Sequence, residues 1–263
     1  GATVGYYTQD PWLALLAAGV FGSMLGLLHA VASVSLAADQ VVSGIAINFL
    51  GSGLALFFSR IFFDGATMTK AIDLNNKIPR PLHGIFPERS FLYYLLDNQY
   101  ATTFLAFLAV FVMWFVLNKT VIGLRIKAVG EKPAAADSLG INVLKIRYGS
   151  VITSGFLAGI GGAAMSLAIV SNFRPTLISG HGFIALAAMI FGHWKPVGAL
   201  LACLLFGFAQ GMSVYLGQFD ISLPSQFIDM LPYVVTILVL VYFVGNLRAP
   251  AADGKPFEKE QKF

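Results

Sequence analysis

Long apolar runs separated by short polar breaks repeat along this chain, and their lengths set the first expectation. Residues 12–36 form one run, the polar break Ala37, Ala38, Asp39 and Gln40 ends it, and a second run covers residues 41–63. Further runs cover residues 102–117, 148–170, 197–216 and 229–244. A helix that crosses the hydrocarbon core needs about 20 predominantly apolar residues, so each of these runs predicts a spanning helix. The run at residues 182–191 is different. It meets Gly192, His193, Trp194, Lys195 and Pro196 after about half the length a span requires, which predicts a half-helix inside the membrane.

Composition supports the same class. Hydrophobic residues make up 57% of the chain and charged residues 11%, against about 25% charged in soluble domains. The expected fold is therefore all-α, a polytopic membrane helical bundle with a discontinuous helix, formed as a single transmembrane domain over residues 1–263. A net charge of +4 raises the question of nucleic acid, but the basic residues sit between the apolar runs, where topology-setting charges belong. Nucleic acid is therefore not an expected partner. Residues 118–147 carry Lys119, Arg125, Lys127, Lys132, Lys145 and Arg147 against only Glu131 and Asp137, which predicts a cytoplasmic loop. Alternation then places Gly1 and the loop at residues 64–100 outside. In that outer loop Lys70, Lys77, Arg80 and Arg89 are balanced by acids. The tail at residues 245–263, with Arg248, Lys255, Lys259 and Lys262, falls inside and agrees with the charge rule independently.

Catalytic chemistry finds little to build on. The chain has no Gly-rich loop ending in Gly-Lys-Ser/Thr, so it cannot hold ATP in that way. Its four histidines, His29, His83, His181 and His193, are dispersed without metal-ligand spacing, and no cofactor is expected. The single cysteine, Cys203, lies in an apolar run and reads as a small buried hydrophobe. No enzymatic activity is expected of the chain itself.

Several polar or irregular positions invite a functional reading. Pro133 suits the first turn of a helix and Gly140 the residue just past its end, so residues 133–141 predict a short helix on the surface of the basic loop. It is either a connector or a docking helix for a cytoplasmic partner. Asn142 reads as the cap of the span that follows. Gly180 and Gly182 allow the backbone to turn at the start of the half-helix, whose amide groups and partial positive end suit a transport site. The bland alternative is a packed re-entrant segment. Ser43, Gly44 and Gly51 permit either close helix packing or a lined pathway. Asn48 needs hydrogen bonds inside the membrane, from another helix or from a pathway. Phe173 and Phe183 flank the approach to the half-helix and can stack on a sugar or base. His29 reads as a packing residue, and His193 with Trp194 and Lys195 as an interfacial anchor.

Three stretches in order carry a family resemblance: ADQVVSGIAIN (Ala38 to Asn48), GLRIKAVGEKPAAADSLGIN (Gly123 to Asn142) and GHGFIALAAMIFGHWKPVGALLACLLFG (Gly180 to Gly207). With YGSVITSGFLAGIGG between Tyr148 and Gly162, they resemble the permease subunits of bacterial ATP-binding-cassette (ABC) importers of the branched-chain amino acid, simple-sugar and nucleoside kind. The resemblance covers most of the chain except the outer loop and the tail. It implies that Pro133, Ala134, Ala135, Ala136, Asp137, Ser138, Leu139, Gly140 and Ile141 form a coupling helix that docks on an ATPase. It also implies a substrate pathway that includes Ser43, Asn48, Phe173, Gly182 and Phe183. The implied partners are cytoplasmic ABC ATPase subunits, a second permease chain, identical or paralogous, an extracytoplasmic solute-binding protein, and membrane lipid. The implied location is the bacterial inner membrane.

Two departures stand out. Ala134 occupies the place of the family's Glu, while Gly140 keeps the matching glycine. The chain starts at Gly1 and lacks the family's first spanning region with its Gly-Val-x-Asn-Ile-like half-helix, so an N-terminally truncated permease fold is expected. The cargo expected is a nucleoside or simple sugar, with a branched-chain amino acid as the alternative. An ATPase-independent secondary transporter is the main rival, and it should place ionisable residues within the spans.

Overall fold

A computed structural model describes residues 1–73, 77–87, 90–178, 180–218, 230, 234, 237, 238, 241 and 249–257. Nine α-helices are defined among them: α1 (Ala2–Thr8), α2 (Pro11–Ala30), α3 (Gln40–Phe62), α4 (Ala101–Lys119), α5 (Val121–Glu131), α6 (Pro133–Ser138), α7 (Val143–Ala164), α8 (His181–Phe191) and α9 (Pro196–Leu216). One wider π-turn extends α2 over Val31–Ser35, another extends α7 over Met165–Ile169, and a third, Tyr93–Asp97, precedes α4. No strand occurs among the described residues. Five helices are long and apolar enough to cross a membrane: Pro11–Ser35, Gln40–Phe62, Ala101–Lys119, Val143–Ile169 and Pro196–Leu216. The protein is thus an all-helical, polytopic membrane bundle. Most of the expected span at residues 229–244, and residues 245–248 and 258–263 of the tail, lie outside the described residues.

The polar breaks act as helix starts. Asp10 accepts the backbone N–H groups of Trp12 (2.8 Å) and Leu13 (3.3 Å), with Pro11 at the first helical position. Asp39 does the same for Val41 (2.8 Å) and Val42 (3.0 Å), and Asn142 for Lys145 (3.0 Å). Each satisfies amide donors that the helix itself cannot. Asn142 therefore caps α7, and that helix begins a turn and more before the fully apolar run does.

The chain divides into two compact units, one of Gly1–Leu108, Thr120–Ser179 and Ala251–Phe263, the other of Ala109–Lys119 and Gly180–Pro250. The first is organised around α2 and α7, which run antiparallel in very close contact. Ala18 and Gly22 face Gly159 and Gly155, and Gly26 faces Val151. A Cβ built at Gly22 would run into the carbonyl oxygen of Gly155, and one at Gly159 into that of Ala18. Lipid tails are as apolar as leucine, so helices in a membrane associate through such close packing. A buried cluster of Ala14, Leu15, Ala18, Ile72, Ile78, Ala101, Ala163, Leu167 and Ala168 continues this seam into the loop at residues 64–100.

At that end of the first unit the loop is tied down. The N–H of Thr69 donates to the Phe173 carbonyl (3.1 Å) and that of Ile72 to Ser171 (2.8 Å). Asp97 is fully buried and accepts from the Gly84 N–H (2.9 Å), with His83 Nδ1 3.0 Å from its other oxygen. Arg80 donates to Asn98 (2.6 Å) and to the Tyr100 hydroxyl (2.8 Å) while lying over the Tyr100 ring. The loop closes through the Ala101 N–H, which donates to Pro79. The opposite end holds α5, α6, residues 251–257 and a hydroxyl contact between Ser35 and Tyr148.

In the second unit α8 and α9 form a tight antiparallel pair. Gly192 and Gly198 touch backbone to backbone, Phe191 packs on Phe206 with ring centroids 5.7 Å apart, and the corner passes through His193 and Trp194, both at φ 55°. Backbone bonds from His193 to Ile190 (2.9 Å) and from Trp194 to Met189 (3.1 Å) hold this left-handed corner.

Candidate functional site

Three places concentrate the candidate residues. The first is the short helix α6. Pro133 opens it, and Gly140 closes it at φ 80°, donating its N–H to Asp137 (2.9 Å) while Ile141 donates to Ala136 (3.1 Å). This pair of bonds is the glycine-terminated helix ending in which only a residue without a Cβ adopts the backbone at low cost. Ala136 is 1% exposed and packs with Val129 of α5 and Val143 of α7, so one side of α6 is fixed to its neighbours. The other side is free: Ala134, Ala135, Ser138 and Gly140 are exposed, and Leu139 is 81% exposed. Such an apolar knob on a helix rigidly seated at its back suits insertion into a complementary socket.

The second is the start of α8. Gly180 takes φ 84° and its carbonyl accepts the Phe183 N–H (2.9 Å), so the helix starts abruptly. Gly182 is exposed with open space around its α-carbon, and the Phe183 ring is 72% exposed. His181 Nε2 lies 2.9 Å from Gln210 Nε2 of α9. An amide nitrogen only donates, so the Gln210 side chain donates to the ring nitrogen. Gln210 was missed in the sequence, although an amide within the apolar run at residues 197–216 is a readable signal.

The third is α3 with the segment after α7. Ser43 is buried and its hydroxyl is 2.9 Å from His29 Nδ1, which joins α3 to α2. His29 thus packs between helices. Asn48 is exposed on another face, about 140° around the helix at 100° per residue. Phe173 is half-buried and held through its backbone, with its N–H donating to the Thr69 hydroxyl (2.8 Å). Beside it Asn172 Oδ1 is buried with no hydrogen-bond partner among the described residues. Ser43 and Asn48 therefore do not share a face, and Phe173 belongs to the looped end of its unit.

One expectation is corrected. Cys203 is exposed on α9 and not a buried hydrophobe. Among the described residues no three His, Cys, Asp or Glu side chains group as metal ligands would.

Comparison with known proteins adds an independent line. The family described as branched-chain amino acid transport system / permease component matches residues 1–240. The chain is 43% identical to the guanosine ABC transporter permease protein NupQ of Bacillus subtilis, over 96% of this chain and 79% of that one. It is 41% identical to the nucleoside ABC transporter permease protein NupC of Lactococcus lactis, over 98% and 82%. A putative glucose ABC transporter permease protein of Haloferax volcanii is 33% identical over 99% and 85%. No solved structure matches.

Proposed function

Because the chain belongs to the family of permease components of branched-chain amino acid transport systems, we propose that it is the transmembrane permease subunit of an ATP-driven importer of nucleosides. It is a multi-pass inner-membrane protein, and its family works with ATPase and solute-binding partners. The observation that carries the cargo is likeness over nearly the whole chain to two permeases named for guanosine and nucleosides. The chain itself is not an enzyme in this reading; hydrolysis takes place in the separate ATPase subunits.

Charge orients the molecule. The end that holds α5, α6 and the tail carries Arg125, Lys127, Lys132, Lys145, Arg147 and Lys255, and it faces the cytoplasm. The end with residues 64–100 faces outward, toward a solute-binding protein. Residues 133–141 dock on the ATPase with Leu139 as the central knob, and the two access states differ in the contacts they offer that partner. A second permease chain, identical or paralogous, completes the transporter. The exposed apolar face of α3, with Val41, Val42, Ile45 and Phe49, is available to that chain or to lipid.

Each unit, taken by itself, holds candidate pathway residues. In one, Asn48 offers an exposed amide on α3, the helix that Ser43 ties to α2, while Phe173 stands at the outward end. In the other, Gly182 and Phe183 present a helix start and an exposed ring that can stack on a nucleobase.

The test is uptake into proteoliposomes that hold the intact permease complex with its ATPase and binding protein. ATP-dependent accumulation of radiolabelled guanosine, abolished by Leu139→Asp with unchanged permease abundance, is the expected result. Uptake of glucose or leucine alone would replace the cargo. Accumulation that needs no ATP but follows an ion gradient would overturn the importer reading.

A further inference from the structure

The residues around α6 include a contributor from far along the chain. Residues 251–257 return to the elbow formed by α5, α6 and α7, and three separate contacts fix them there. The Ala252 N–H donates to the Gly130 carbonyl (2.9 Å). Gly130 lies in the last turn of α5, where carbonyls have no partner in their own helix, so the tail supplies a cap from outside. The Lys255 carbonyl accepts Arg147 Nη1 of α7 (2.8 Å). The Phe257 ring packs onto the cluster of Val129, Ala136 and Val143, with the Arg147 guanidinium 5.9 Å from its centroid.

These contacts join all three helices at once. α6 is only six residues long, too short to hold a pose through its own backbone bonds, and its seat is a small cluster with three buried side chains among the described residues. An aromatic ring is a large share of so small a core. We infer that the C-terminal tail is a working part of the coupling element: it clamps the α5–α6–α7 elbow through Phe257, and thereby fixes the pose in which α6 presents Leu139 to the ATPase. Phe257 is a positioning residue, acting on the partner through α6 and not by contact with the cargo. The inference rests on the docking role proposed for α6. Electrostatic attraction of a basic tail to the lipid surface would leave the tail with no such role.

Two readouts test it, both in the intact complex in proteoliposomes. Hydrogen exchange of the backbone amides in residues 133–141 should accelerate in Phe257→Ala, with α3 unaffected, and return to the parent rate in Phe257→Tyr. Guanosine uptake per ATP hydrolysed should fall by about fivefold or more in Phe257→Ala, the scale of ordinary coupling energies, and recover in Phe257→Tyr. Unchanged exchange at α6 in Phe257→Ala and in a chain ended after Pro256 would overturn the clamp. Leu139→Asp separates the two ideas. If it leaves ATPase capture intact, the docking role fails, while the exchange measurement still decides whether the tail holds α6.

Discussion

Replacing Gly22 by alanine adds one methyl group where the backbone of another helix already stands. The Cβ would overlap the Gly155 carbonyl oxygen and come within 3.0 Å of the Gly159 α-carbon and 3.1 Å of the Gly155 carbonyl carbon. None of these atoms belongs to a side chain that can rotate away, so α2 and α7 must move apart. Gly161→Ala on α7 is the matched control, since a Cβ there meets nothing within 4 Å. Both substitutions gain the same helix propensity, about 1 kcal/mol, so that contribution cancels in the comparison. What remains is the cost of overpacking, about 1–3 kcal/mol, because dispersion falls steeply when packed surfaces separate. For a chain of this size each kcal/mol shifts the midpoint by about 2–4 °C, so Gly22→Ala should melt about 2–12 °C below Gly161→Ala. Thermal unfolding in detergent, followed by the loss of the monodisperse peak on size exclusion, measures it. Equal midpoints for the two variants would mean that α2 and α7 do not pack backbone to backbone, and the core of the first unit would have to be redrawn.

Two other side chains give sharp expectations. Phe183→Ala should raise the guanosine concentration for half-maximal uptake by about 5- to 150-fold if the exposed ring stacks on the base, since such stacking is worth about 1–3 kcal/mol; Phe183→Trp should restore it, and an unchanged half-maximal concentration removes Phe183 from the pathway. Asp97→Ala leaves the Gly84 N–H without its acceptor, at a cost of about 1–3 kcal/mol, and should open residues 77–100 to added protease in right-side-out vesicles while α4 stays protected. A loop as resistant as the parent would show that Asp97 does not hold it.

Much of the helical plan was legible because its causes are local. An apolar run of spanning length must hydrogen-bond its own backbone in lipid, and a helix is the way a single segment does so. Asp39 was visible in a polar break and Asn142 as a cap, and each accepts the first free N–H groups of its helix, as Asp10, which carried no such reading, also does. Pro133 and Gly140 likewise bracket a short helix, for reasons of fixed φ in one and positive φ in the other. The helix α1 carried no such signal, since Ala2–Thr8 is held by Tyr7 donating to the Phe62 carbonyl and by Gly5 against Leu167, both distant in sequence.

The sequence by itself determined the class of the molecule, the helices its apolar runs impose and the positive loop that orients them, since hydrophobicity and charge act residue by residue. It could not say which face of each helix is covered. The spans are apolar all round, so periodicity carries no direction, and only the mutual fit of Gly22 with Gly155 reveals that α2 meets α7. Nor could it separate Ser43, engaged by His29, from Asn48 on an open face of the same helix, or bring Gln210 to His181. The union of Phe257 with Ala136 likewise spans more than a hundred residues of chain. Such pairings arise from shape and hydrogen-bond complementarity between surfaces that meet only when the helices pack, and that information resides in the tertiary structure.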